Sequence, residues 1–139
     1  MNENQYVVFE LAGEYYAIKI DTVETIERDN AITRVPKTPV YVAGVINLRG
    51  EIVPVIDLRL RLGLQKKDMD SESRIIVNKM DDMMIGYIVD STYEVKVIEQ
   101  SQIDYSGKDE TVNETYVKAI ARDNDRMIIL LDVDKVLSK

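Results

Sequence analysis

Cysteine and histidine are both absent from this chain of 139 residues. Without cysteine there can be no disulfide, no thiolate chemistry and no Cys-bearing zinc site, which suits a reducing compartment. Without histidine there is no Ser-His or Cys-His pair, and no Ser-Lys or carboxylate motif stands in its place. Catalysis is therefore not expected. Positive charge is in deficit, with 18 Lys and Arg against 25 Asp and Glu and a formal net charge of -7. That balance argues against a phosphate backbone as the main ligand, so nucleic acid is not an expected partner. Long apolar runs are lacking too. The longest is Met127 to Leu131, and the N-terminal MNENQYVVFEL has neither the basic start nor the apolar stretch of a signal peptide. The expectation is a cytoplasmic chain with no membrane insertion of its own.

Motifs for cofactors and metals are also missing. Gly107-Lys108 lacks the upstream glycine and the Ser or Thr of a phosphate loop, and Asn113-Glu114-Thr115 is a sequon that matters only in a secreted protein. Asp123-Asn124-Asp125 opens like a calcium loop, but Arg126 and Ile128 follow in place of a further oxygen ligand and a glycine. It reads as a turn, as does Asp81-Asp82. No cofactor and no metal are expected.

What is present is a hydrophobic fraction of 45%, enough for a sizeable core in a chain of this length. Strands dominate it. Tyr6 to Leu11 and Tyr15 to Ile20 flank Ala12-Gly13-Glu14, Arg74 to Met80 and Met83 to Val89 flank Asp81-Asp82, and Tyr116 to Arg122 and Arg126 to Leu131 flank Asp123-Asn124-Asp125. Each is a hairpin signal, and Tyr93 to Ile98 adds a strand. Helices are short: Thr38 to Ala43 after Pro36, Asp57 to Leu62 with Asp57 as N-cap and Gly63 as stop, and Val133 to Leu137.

The chain also echoes itself. Tyr6 to Ile75 and Ala17 to Gly86 are both steps of 69 positions, and Ile52 to Asp57 resembles Met127 to Asp132. Two similar β units follow, with a polar junction at 65–73, approximate subdomains 1–64 and 74–139, and room for strands to cross between them.

Gly44 to Arg59, GVINLRGEIVPVIDLR, is the densest stretch. Gly44 to Leu48 and Ile52 to Ile56 read as strands of a hairpin, with Arg49-Gly50-Glu51 as a turn where Gly50 takes positive φ. Pro54 cannot donate to a ladder, so one side of its strand should be open. Arg49 at the tip either braces its own loop, through backbone carbonyls or Glu51, or forks onto a partner carboxylate. This stretch closely resembles the central motif of the CheW-like chemotaxis coupling proteins, and the resemblance extends from Gln5 through Leu137. It implies two SH3-like five-stranded β-barrels packed side by side in a mostly β fold. It further implies an adaptor that joins the regulatory domain of the histidine kinase CheA to the cytoplasmic tip of methyl-accepting chemoreceptors, within receptor arrays at the membrane. Arg49 matches the family's receptor-coupling arginine, and Val23 matches a position implicated in partner binding. Thr25 departs from the glutamate often found in relatives. The candidate contacts are Val23, Gly44, Asn47, Arg49 and Ile52, whereas Ile26 reads as core. A scaffold for a kinase outside swimming, or a small-ligand barrel, would suit the same sequence.

Overall fold

The computed structural model describes residues 4–28, 31–105 and 114–137. Four hairpins build it, each turning through a two-residue loop with left-handed backbone. β1 (Gln5–Leu11) and β2 (Glu14–Lys19) join through Ala12 and Gly13, at φ 52° and 81°. β4 (Val42–Leu48) and β5 (Glu51–Asp57) join through Arg49 and Gly50, at 51° and 91°. β6 (Arg74–Met80) and β7 (Met83–Val89) turn at Asp81, and β10 (Val117–Asp123) and β11 (Arg126–Leu131) at Asn124. Turns of this hand match the twist of the strands they connect. Between the hairpins lie β3 (Val23–Glu27), β8 (Ser91–Val97) and the short β9 (Ile103–Asp104). β3 and β9 are too short and too polar to have been legible.

Two short helices follow two of the strands. α1 (Leu58–Arg61) begins where the Asp57 carboxylate accepts the Leu60 amide, and α2 (Val133–Leu137) where Asp132 accepts that of Lys135. The helix expected over Thr38 to Ala43 does not form. Pro36 and Pro39 remove two donors, the Pro39 carbonyl closes a turn onto the Val42 amide, and β4 begins there.

The strands form a six-stranded sheet, β8-β1-β2-β11-β10-β9, and a five-stranded sheet, β3-β6-β7-β5-β4. Neither is closed into a barrel by a hydrogen-bonded seam, so the expected pair of five-stranded barrels becomes two open, SH3-like sheets of unequal size. The echo in the sequence is a repeat in the structure. The parallel ladder Ala17↔Leu130 in one sheet corresponds to Gly86↔Val55 in the other, through steps of 69 and 75 positions. Val42↔Ile56 corresponds to Val117↔Leu131, with a bulge after each. Each early hairpin then sends its next strand away: β3 follows β2 but pairs with β6, and β8 follows β7 but pairs with β1. Residues 65–73 connect β5 to β6 within the five-stranded sheet, and strands from 1–64 and from 74–139 contribute to both sheets, the kind of crossing the expected subdomains left room for.

Three apolar clusters follow from this layout. The largest lies between the sheets and takes Val7, Phe9, Tyr16 and Ile18 from one and Ile56, Ile76, Tyr87 and Val89 from the other. Smaller cores fill the far side of each sheet, around Val8, Ile128 and Leu130 and around Ile46, Val55 and Ile75. β1 is buried on both faces, which explains its unbroken apolar run.

Asp90, where β7 passes to β8, ties several of these parts together. Its carboxylate accepts Arg59 Nε and Nη2 at 2.8 and 2.6 Å and the Ala12 amide at 2.9 Å. Burial works to raise the Asp90 pKa, but these donors outweigh it and hold the group below the usual carboxylate range. Hydrogen bonds from Arg126 and Lys96 lower Asp123 in the same way. A carboxylate depressed by folding adds stability above its unfolded pKa and loses it as pH falls through the folded value. Denaturant midpoints should therefore stay level toward pH 5 and drop below about pH 4. Asp90→Asn should cost about 2 kcal/mol at neutral pH and flatten part of that drop.

Candidate interaction surface

The β4–β5 hairpin places Asn47, Arg49 and Ile52 together at one end of the five-stranded sheet. Asn47 Oδ1 accepts the Gly50 amide at 3.0 Å, so the asparagine holds the turn that presents Arg49. Arg49 is exposed and makes no hydrogen bond or ion pair among the described residues. Of the two roles open to it, bracing its own loop is the one the structure leaves unfilled. Beside it is a polar cleft of about 340 Å³, lined by Glu24, Glu51, Lys79 and Asp82. Glu24 belongs to β3 and Arg49 to the β4–β5 turn, so the two edges of this sheet curl toward each other here. Ile52 lies directly opposite Asn47 and is 65% exposed.

Gly44 is different. It is buried, with φ at 149°, and a Cβ there would lie 2.1 Å from the Thr33 carbonyl oxygen. Its contribution is one of shape: it lets Thr33 lie on β4 and exchange two backbone bonds of 2.8 Å with Val45. Because Val45 bonds to Thr33 on that side, it exchanges none with Pro54 opposite, and the proline's missing donor faces away from β4. β7 pairs with β5 only from Val55 onward. The open edge expected beside Pro54 is thus local, since β5 itself runs inside the sheet between β7 and β4.

Val23 and Ile26 differ in exposure: Val23 is half-buried, and Ile26, which reads as core in the sequence, is exposed. Both pair with residues of one face of β6, Val23 with Asn78 and Ile26 with Ile76, because a bulge between Val23 and Thr25 absorbs one position. Val23 sinks against the core between the sheets, whereas Ile26 emerges at its rim, 37% exposed. The repeat sets Val95 of β8 in the equivalent place, opposite Val7, with 52% of its surface exposed and Val97 beyond it. Ile26 and Val95 thus border the seam between the sheets, one from each edge strand. The step of 69 positions joining them is the signal by which they could have been found.

The turn residues have structural employment. Asp123 accepts Lys96 Nζ at 3.0 Å and Arg126 Nη2 at 2.7 Å, which occupies the carboxylate of the calcium-like stretch. Among the described residues no group of three or more acidic side chains is placed to hold a metal. Gly107-Lys108 and Asn113, the first residue of the sequon, lie outside the described residues. Gly44→Ala should break the Thr33–Val45 bridge and cost more than about 2 kcal/mol, read as a lower denaturant midpoint, with hairpin-tip variants such as Arg49→Ala near wild type.

Comparison with known proteins agrees with this geometry. The family model for the CheW-like domain matches residues 5–139. The chain is 37% identical over 137 residues to a chemotaxis protein CheW of Bacillus subtilis, covering 96% of this chain and 86% of that one. It is 36% identical over 135 residues to a chemotaxis protein CheW of Helicobacter pylori, covering 97% and 82%. Among solved structures, the scaffolding protein TtCheW of Thermoanaerobacter tengcongensis superposes with a TM-score of 0.86 at 39% identity, over 93% of this chain and 88% of that one. With the fold and nearly the whole length in agreement, this chain belongs to the CheW-like domain family.

Proposed function

We propose that this protein is a chemotaxis coupling adaptor, joining the regulatory domain of a CheA histidine kinase to the cytoplasmic tip of methyl-accepting chemoreceptors without catalysis of its own. The observation that carries the reading is Arg49, a guanidinium with no hydrogen bond or ion pair among the described residues, held at the tip of a hairpin whose turn Asn47 fastens. A charged group kept without an internal partner is ready for a carboxylate on another molecule, and the fixed turn reduces the entropy lost on binding.

Two surfaces serve two partners. The tip, with Asn47, Arg49 and Ile52 and with Gly44 giving the hairpin its shape, is assigned to the kinase domain in place of the receptor-coupling role that the resemblance implies for Arg49. A charged, polar tip suits a folded domain bearing a carboxylate, whereas a receptor helical hairpin needs an apolar stripe. The rim, with Ile26 and Val95 and with Val23 beneath it, offers the apolar stripe that a receptor helical hairpin needs. No helix among the described residues is long and apolar enough to cross a membrane, so the place of this protein at the membrane comes from the receptors that recruit it. In an array, contacts of modest strength suffice because neighbours hold each partner at high effective concentration.

Titration calorimetry against the isolated regulatory domain of the cognate kinase tests the tip. Arg49→Ala should keep the wild-type circular dichroism spectrum and lose at least about tenfold in affinity. Equal affinity would remove Arg49 from the interface. In co-sedimentation with a receptor cytoplasmic fragment, Ile26→Glu and Val95→Glu should each abolish binding while leaving the kinase-domain titration unchanged.

A further inference from the structure

Charge is unevenly divided along this chain. Residues 31–50 and 58–67 contain seven of the 18 Lys and Arg and none of the 25 acids, so the remainder carries 11 cations against all 25 acids. The two stretches meet at a cleft of about 440 Å³ lined by Arg34, Val35, Lys37, Val40, Leu60 and Lys66 among others. Some nearby cations are already engaged: Arg59 bonds Asp90, Lys67 bonds Asp70, and Arg61 lies over the Tyr41 and Tyr116 rings. Arg34, Lys37 and Lys66 are not; they make no hydrogen bond or ion pair among the described residues.

The loop that carries this cleft is stiff, and it holds apolar groups in water. Thr33 is bonded twice to Val45, Thr38 Oγ1 donates to the Val35 carbonyl at 3.0 Å, and the Val42 amide donates to Pro39. Pro36 and Pro39 restrict the backbone between these bonds. Even so, Val40 is 81% exposed and Val35 40%. A constrained loop that exposes two valines between three cations without a partner among the described residues is pre-organised for binding. The cleft opens near Val42, at the far end of β4 from Arg49 and about 20 Å along the strand, so it is a separate surface from the hairpin tip.

We propose that this cleft docks an acidic segment of a partner protein, one apolar side chain entering between Val35 and Val40 while flanking carboxylates meet Arg34, Lys37 and Lys66. A protein segment supplies both the negative charge and a side chain to fill a concavity, whereas a bilayer surface presents no such projection. The remaining surface of this chain, rich in acids, repels the same segment and thereby selects this face.

The test is an amide chemical-shift titration of the whole chain with a glutamate-rich peptide bearing one central leucine. The same peptide with glutamine for glutamate, and vesicles containing phosphatidylglycerol, serve as the alternative probes. The expected result is that shifts gather at residues 33–43 and 60–66, weaken with added salt, and are absent with the glutamine peptide. Lys37→Glu and, away from the loop backbone, Lys66→Glu should each weaken binding at least about fivefold. Arg49→Ala should leave it unchanged, so failure here is distinguishable from failure of the kinase-binding reading. Shifts scattered elsewhere, equal binding of the glutamine peptide, stronger binding of vesicles, or the same shifts arising from protein concentration alone would each overturn the proposal.

Discussion

The exchange of third strands between the two sheets is the constraint on which the rest depends. β3 leaves the first hairpin to pair with β6, and β8 leaves the third to pair with β1, so neither sheet can be completed without the other. The exchange holds the sheets against a common apolar layer whose side chains come from both. It also concentrates polar work at the crossings. Asp90 lies where β7 passes into β8 and gathers donors from α1 and from the first turn, locking the crossing strand to the two elements it runs between. Arg61, stacked over Tyr41 and Tyr116, joins residues one repeat apart and donates to the Val136 carbonyl at 2.8 Å. An arginine suits this position because its planar face stacks on rings while its edge bonds a carbonyl.

Edge strands are the second consequence. A duplicated unit with exchanged strands has its edge elements, β3 and β8, beside the seam rather than at remote margins. Both carry apolar residues that face the common core, and a bulge in each keeps those residues on one face across a short, irregular strand. An exposed edge of this kind invites unwanted pairing unless it is charged or irregular. Here the bulges and the interleaved Glu24, Glu27, Glu94 and Lys96 meet that need while leaving Ile26 and Val95 accessible.

Much of the fold was legible because it is local. Apolar alternation and turn residues marked the four hairpins within one or two positions, and Asp57 with Gly63 marked α1, because a cap and a left-handed stop act on their own neighbours. The NLRG motif pointed to the tip, and the turn geometry bears out Gly50 as a positive-φ residue. Less legible was what each motif residue does: Asn47 fastens the turn, Gly44 makes room for a crossing segment, and Arg59, which looks like a surface cation in sequence, is absorbed by Asp90.

By itself the sequence determined the hairpin strands, their turns, the repeat and the family, since each rests on side-chain preferences over a few neighbouring residues or on direct similarity. Only the tertiary structure decided which sheet receives β3 and β8, and hence that Val23 is half-buried against the core while Ile26 and Val95 stand at a seam. Backbone donors and acceptors are alike in every strand, so the choice of partner is made by the burial that a whole arrangement achieves and not by any one strand.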